Sequence, residues 1–475
     1  MSIQLDWHIN ADQTQQQESE DPNQRNRRRR NRWRLLLAMV VVALVIGVAV
    51  LALLWRWQAI QQREEDDLRA AVEAELAAIR VGDQDAFEQL QRSDSMAWLD
   101  SQLATYNDYQ TLKQAGRLSP QSQIINVTID EERGRVVIQE TIDQQAFRQA
   151  WFYWRYSAST AEDTQAGWRR VPPDVTFWGE ETTLTQANTV ITYRELDAEM
   201  AKALAPQVEA WWSGGCQWIG CAQALPTLTV IIDPQAGLPM TWEPDGGWQL
   251  RLLSPYVTGR VPTSYPVPLD LEDRLAHSLA ERIITYGSEG RVNFILEGDL
   301  ITYDSNWLKD QVRQWLIARF RGQPAPFWDS LTTLYGPTVM GRWLLAYQEN
   351  TQLNTLAPIL DPNLTSLSSL DIAQLNQIAW GEFFAWRLGL ERSRLLQGDS
   401  NNFFALYEGG NANPSAATRA IDAAYAQSRP ETVQGVAFSY RQDGTLVALV
   451  DVTDAAGVTA QISFVWAGDT FIRVS

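Results

Sequence analysis

One unbroken apolar run, "LLLAMVVVALVIGVAVLALLW" at residues 35–55, dominates the hydrophobic pattern of this 475-residue chain. As a helix rising about 1.5 Å per residue, it is long enough to cross a hydrocarbon core of about 30 Å. A buried core helix is not normally apolar on every face over this length. A secretory signal would have a shorter apolar region nearer the start and a small-residue cleavage site. Here "RNRRRRNRWR" (25–34) precedes the run and "RWQAIQQREEDD" (56–67) follows it. Cations on one flank and acids on the other predict a single membrane span with the N-terminus cytoplasmic and the bulk outside. Trp33, Trp55 and Trp57 then fall at the two interfaces.

Beyond the run the pattern alternates between helical and strand periods, which predicts an α+β ectodomain. Residues 58–108 repeat at helical spacing, with a break at Gly82-Asp83. "SQIINVTIDEERGRVVIQETID" (122–143) alternates on both sides of "EERGR", a hairpin signal. "AFRQAWFYWRYSA" (146–158) and "GWRRVPPD" (167–174) add strands. Next come a strand, "TTLTQANTVITY" (182–193), a helix over 194–212, and strands "TLTVIID" (227–233) and "GWQLRLLSP" (247–255). Helical patterns then cover 271–284, 304–320, 336–348, 371–396 and 415–429, and residues 433–474 alternate through four strands. With roughly 420 residues past the run, more than one core is expected. The divisions read as a disordered cytoplasmic tail (1–34), the span (35–55), an α+β module (58–178), a mixed sheet with a helical subdomain (179–398) and a small α+β module (399–475).

A net charge of −18 removes nucleic acid as a partner, because no basic field exists outside the membrane flank to neutralise phosphates. The lipid bilayer is the partner implied by residues 35–55. The cysteines, Cys216 and Cys221 in "GGCQWIGC", would face an oxidising compartment. Their spacing is not Cys-x-x-Cys, and a zinc site would need further Cys or His. A local disulfide closing a glycine-flanked loop is the reading.

The residue order also carries resemblances. Helices followed by a curled antiparallel sheet over 65–175 resemble the cone-shaped nuclear transport factor 2-like fold, and the C-terminal module resembles another small α+β module of that kind. "WRRVPPDVTFWG" (168–179) resembles a lead-in of bacterial gluzincin (MA-like) peptidases, and the likeness extends over roughly 165–395. The resemblance puts the first zinc histidine at His277 in "LEDRLAHSLAERII" and the general base at Ser278. It puts the second zinc ligand at Glu281 and the third at Asp310 in "WLKDQ", with Gln311 where glycine belongs. Such enzymes need a zinc-bound water whose proton passes to a carboxylate beside the first histidine. A serine hydroxyl is no base near neutrality, and Glu281 is not an imidazole. The resemblance therefore implies a scaffold whose zinc-peptidase chemistry is lost, with no catalytic residue, metal or cofactor.

His277, Glu281 and Asp310 could still form a His/carboxylate shell, but a histidine beside a glutamate on one helix face is more commonly a simple polar pair. A Ser278–His277 dyad fails because helix neighbours point about 100° apart. The 21 tryptophans raise a different option, a sugar-binding surface. Trp211, Trp315, Trp343, Trp380 and Trp386 recur beside Leu and Phe, which favours packing. The functional expectation is a membrane-anchored, extracytoplasmic, non-enzymatic protein that binds a protein or peptide partner. The alternative is an extracytoplasmic enzyme with an unrecognised site, such as a carbohydrate-active one on a Trp-rich surface. A reporter fused after Ser475 should be active only outside the cytoplasm; activity inside would contradict the orientation.

Overall fold

The structure is a computed structural model that describes residues 22–157, 166–221, 223–243, 247–294, 307–347, 353, 356–361, 363–409, 432–454, 456–468 and 470–474. It is a mixed α+β protein. Two compact units emerge: the described parts of Met1–Asn107, Asn126–Val136 and Tyr153–Arg170, and those of Asp108–Ile125, Val137–Phe152 and Val171–Ser475.

Helix α1 (Pro22–Val81) is continuous. Residues 22–34, expected as tail, are helical, since proline suits a first helical turn and nothing from there to Val81 breaks the helix; the rest of the tail lies outside the described residues. The helix is long and apolar enough to cross a membrane, and its apolar stretch is exposed. Its last turns change character: Leu68, Val72, Leu76 and Ile79 recur on one face and are buried. Gly82, in the left-handed region, ends it. Asp83 caps α2 (Gln84–Gln89), and α3 (Met96–Gln114) follows.

At the centre of the first unit lies a polar group. Glu75 is fully buried. It accepts hydrogen bonds from Tyr153 Oη (2.8 Å), Gln91 Nε2 (3.0 Å) and Arg170 Nη1 (2.6 Å). A buried carboxylate is tolerated only with such partners. The glutamate also raises the Tyr153 hydroxyl pKa, though burial is the larger cause.

Strands β1 (Gln123–Asp130), β2 (Arg133–Ile142) and β3 (Gln145–Tyr156) turn at Glu131 and at Asp143-Gln144, all with positive φ. Consecutive left-handed residues at a two-residue hairpin loop match the strand twist. β4 (Gly167–Val171) pairs with β3. The segment expected as one strand at 182–193 is a hairpin, β5 (Glu181–Thr185) and β6 (Thr189–Arg194). Glu209 holds its turn, accepting from the Asn188 amides and from Thr189.

α4 (Ala198–Ile219) crosses from β6 to the parallel strand β7 (Leu228–Asp233). β8 (Met240–Trp242) and β9 (Gln249–Leu253) complete a sheet ordered β5-β6-β7-β9-β8, with β7 and β9 parallel and the two edge pairs antiparallel. Alternation is clean in β7, where Leu228, Val230 and Ile232 are buried. After α5 (Pro255–Thr258), β10 (Val261–Pro262) joins β3, giving the order β1-β2-β3-β10.

The segment expected as a glycine-flanked cysteine loop is the end of a helix. Gly214 to Ile219 remain helical, and Gly220, left-handed, ends α4. Cys216 and Cys221 are bonded, with Cα atoms 5.1 Å apart, so the link spans the last helical turn. Glycine serves contact here: a Cβ on Gly215 would lie 2.6 Å from Ile283 Cδ1, and one on Gly341 would lie 2.8 Å from the Ile219 carbonyl oxygen.

α6 (Leu269–Gly287), α7 (Trp307–Phe320), α8 (Pro326–Tyr335), α9 (Val339–Ala346) and α10 (Leu356–Leu360) form the helical part. The helix expected over 371–396 is two, α11 (Ile372–Gln377) and α12 (Gly381–Leu396), because Ile378 is extended. Trp380 closes that gap by donating to the Leu375 carbonyl at 2.9 Å. α13 (Ser400–Phe404) precedes an antiparallel meander, β11 (Thr432–Tyr440), β12 (Leu446–Thr453), β13 (Thr459–Trp466) and β14 (Phe471–Arg473). The helix expected at 415–429 lies outside the described residues.

The Cys216–Cys221 bond closes a short loop, so chain-entropy reasoning assigns it about 2 kcal/mol. Both thiols should resist maleimide until reductant is added, and reduction should lower the unfolding midpoint. Two freely labelled thiols in the folded, unreduced protein would contradict the bond.

Candidate functional site

α6 has two faces because its apolar residues recur at helical spacing. Leu271, Leu275, Ala276, Leu279, Ala280, Ile283 and Ile284 are buried in the core of the second unit. His277, Ser278, Glu281 and Arg282 occupy the rest of the surface of its middle turns.

Each position singled out in the sequence has a definite partner. His277 Nδ1 lies 2.9 Å from the Asp273 carbonyl oxygen one turn back, and 3.7 Å from the Asp273 carboxylate. A carbonyl only accepts, so this contact places the proton on Nδ1. Asp273 also receives Arg321, which holds its carboxyl below the ordinary aspartate range, with His277 adding to the effect. Ser278 Oγ accepts from the Trp242 indole at 2.7 Å, so it braces β8 against the helix. Glu281 accepts from Arg313 Nη1 at 2.8 Å, and Asp310 from Arg313 Nη2 at 2.5 Å. The guanidinium also lies 5.3 Å from the centroid of the Phe294 ring.

The structure thus brings Glu281 and Asp310 to one point, but around a cation supplied by α7. His277 is turned to its own helix. Among the described residues, no group of three or more His, Cys, Asp or Glu side chains is placed to hold a metal ion. The donor set does not fit zinc: a guanidinium held by both carboxylates occupies the electrophilic position between them, and like charges there repel. Arg313 was legible in retrospect, since it follows Asp310 by three residues on one helix, a spacing that pairs charges.

Other polar clusters are structural. Ser254 donates to Asp197 at 2.6 Å and the Trp178 indole donates to the same carboxylate at 2.9 Å, both deep in the protein. Glu391 gathers Arg387 and Arg473, and Arg387 also donates to the carbonyls of Phe471 and Leu406, which pins the C-terminal meander to α12. Among the tryptophans weighed for sugar binding, Trp211, Trp315, Trp343 and Trp380 are buried. Trp343 packs edge-on to Trp328, and Trp380 edge-on to Phe327 and Phe438. Trp386 is half-buried against Trp307 and Phe383.

A feature that the sequence did not announce lies at the C-terminal end of α6. A cleft of about 330 Å³ is lined by Trp248, Arg282, Thr285, Tyr286, Glu289 and the disulfide residue Cys221 among others. The Arg282 guanidinium sits 5.1 Å from the Trp242 ring centroid and 4.9 Å from that of Trp248, and burial lowers its pKa. No motif spacing links Trp242, Trp248 and Arg282, because a sheet edge and a helix meet only in the fold.

In comparison with known proteins, the chain matches no family model, no curated protein and no solved structure.

Removing the Arg313 charge leaves two carboxylates facing each other. The site is partly exposed, so Arg313→Met should cost about 1–2 kcal/mol rather than the larger penalty of a fully buried pair. Adding Glu281→Gln and Asp310→Asn should recover most of the loss in a denaturant titration. An Arg313→Met midpoint equal to that of the unaltered chain would contradict the bridging role.

Proposed function

We propose that this chain is a membrane-anchored protein whose residues 179–398 are a peptidase-derived scaffold without hydrolytic chemistry, displayed outside the cytoplasm to bind a protein or peptide partner. In this reading residues 58–178 are a nuclear transport factor 2-like spacer and residues 399–475 a small C-terminal module. The anchor is supported by the apolar length of α1 and the arginine block before it. An oxidising compartment agrees with the Cys216–Cys221 bond.

The observation that carries the loss of chemistry is Arg313. It ties together Glu281 and Asp310, the positions that the gluzincin resemblance assigns to the second and third zinc ligands. Ser278, at the position of the general base, accepts an indole N–H and has no carboxylate to offer. A metal-activated water would need an unoccupied electron-pair acceptor and a base beside it; here the local cation is a guanidinium, which activates no water. What persists on such a scaffold is shape, and a shaped surface outside a membrane serves binding.

The full chain, purified in detergent, should leave a mixed peptide library intact over long incubation, and photo-crosslinking in native membranes should trap a protein or peptide partner on the 179–398 segment. Peptide turnover abolished by a chelator, or zinc at one ion per chain, would contradict the reading.

A further inference from the structure

We infer that the outer edge of β5 (Glu181–Thr185) is a docking site for β5 of a second copy of this chain, paired antiparallel with Thr183 opposite Thr183 across a two-fold axis.

The phase of the hairpin sets which groups face outward. Glu195 N donates to the Glu180 carbonyl, and Gln186 N to the Thr189 carbonyl. Antiparallel strands alternate their bonding residues, so Glu180, Thr182, Leu184 and Gln186 turn their main chain to β6. Glu181, Thr183 and Thr185 turn their N–H and C=O groups the other way. Among the described residues, nothing bonds to these outward groups. All three residues are exposed, as is Thr182.

Three other edges in the second unit are guarded. β8 holds only three residues. β14 bonds onward, with Arg473 N donating to the Leu406 carbonyl and Glu408 N to that of Arg473. β11 is bulged between Val433 and Gly435, and its Phe438 N–H is taken by Asn376 Oδ1 at 2.8 Å. β5 has no such protection: its register with β6 runs without a shift, and "ETTLT" holds no lysine or proline.

This edge is complementary to itself. With Thr183 on the axis, Glu181 faces Thr185 of the second copy and Thr182 faces Leu184. Each outward residue then exchanges both main-chain bonds with its opposite, and a threonine pair, a favourable cross-strand match, sits at the centre. No like charges meet. The two Glu181 residues lie on opposite sides of the axis, roughly 14 Å apart, beyond the screening length of about 8 Å at physiological salt. A strand from an unrelated protein has no such fixed match. Five residues from each copy make a contact below the usual size of a stable interface. Anchoring both copies in one bilayer raises their effective concentration and offsets this.

Thiol cross-linking of the full chain in reconstituted vesicles, at low protein density, tests the pairing. Both native cysteines are in the Cys216–Cys221 bond, so an added cysteine is the single free thiol. Thr183→Cys should form a linked dimer under mild oxidant, because directly opposed residues lie about 5.5 Å apart at Cα. Glu181→Cys alone should not, whereas Glu181→Cys mixed with Thr185→Cys should. Thr183→Pro removes the outward N–H and no bond to β6, and should weaken association at least about tenfold, read by energy transfer between labelled copies. No dimer from Thr183→Cys, equal cross-linking at every position, or energy transfer unchanged by Thr183→Pro overturns the pairing. An adduct between Thr183→Cys and a different protein in native membranes overturns the second copy as occupant and assigns the edge to a foreign strand. Each cysteine variant alters one exposed side chain, so the result stands even where the proline variant fails to fold.

Discussion

The close packing of α6 against α4 is the constraint on which the rest of the second unit depends. Gly215 lets the two helices approach until Ile283 sits where a side chain would otherwise be. With that contact made, Leu275, Leu279 and Ile283 are sealed in the core and the opposite face of α6 is fixed in direction. Ser278 then meets Trp242 at the sheet edge, Glu281 meets Arg313 on α7, and Arg282 meets two indoles. One helix carries both the Glu281–Arg313–Asp310 cluster and the cleft, and its orientation is set by packing. A single added methyl at Gly215 would have to displace buried Ile283, so the effect of such a change would reach both.

The charged groups show the same economy in two settings. Glu75 in the first unit is buried, and three donors compensate for its loss of water. Glu281 and Asp310 are partly exposed and share one arginine. In each case the carboxylate is partnered by side chains of the chain itself.

Much of the fold was legible in the sequence where local pattern and tertiary role agree. The run at 35–55, the hairpin at "EERGR", the alternation of "TLTVIID" and the terminal strands all satisfy period and turn chemistry at once. Reading failed where they part. "TTLTQANTVITY" hides a turn because β-branched residues continue on both sides of Gln186-Ala187-Asn188, and the fixing group, Glu209, comes from α4. "GGCQWIG" reads as a loop, yet its glycines continue a helix that needs them for contact. The break at Ile378 has no glycine or proline to mark it. Of the four positions taken from the peptidase resemblance, Glu281 and Asp310 do converge, but the arginine between them is a long-range partner of Glu281 that spacing along α6 could not reveal.

The central proposal is that α6 and α7 derive from a zinc-binding pair of helices, with the Arg313 guanidinium now between Glu281 and Asp310. Zinc titration of a variant carrying Ser278→Glu, Glu281→His, Asp310→Glu and Arg313→Ala tests it most directly. With the arginine removed and an imidazole and a longer carboxylate supplied, ligands should converge at about 2.0–2.2 Å. The account predicts saturable binding of one zinc per chain, absent from the unaltered protein. A folded variant with no more affinity for zinc than the unaltered chain would contradict it.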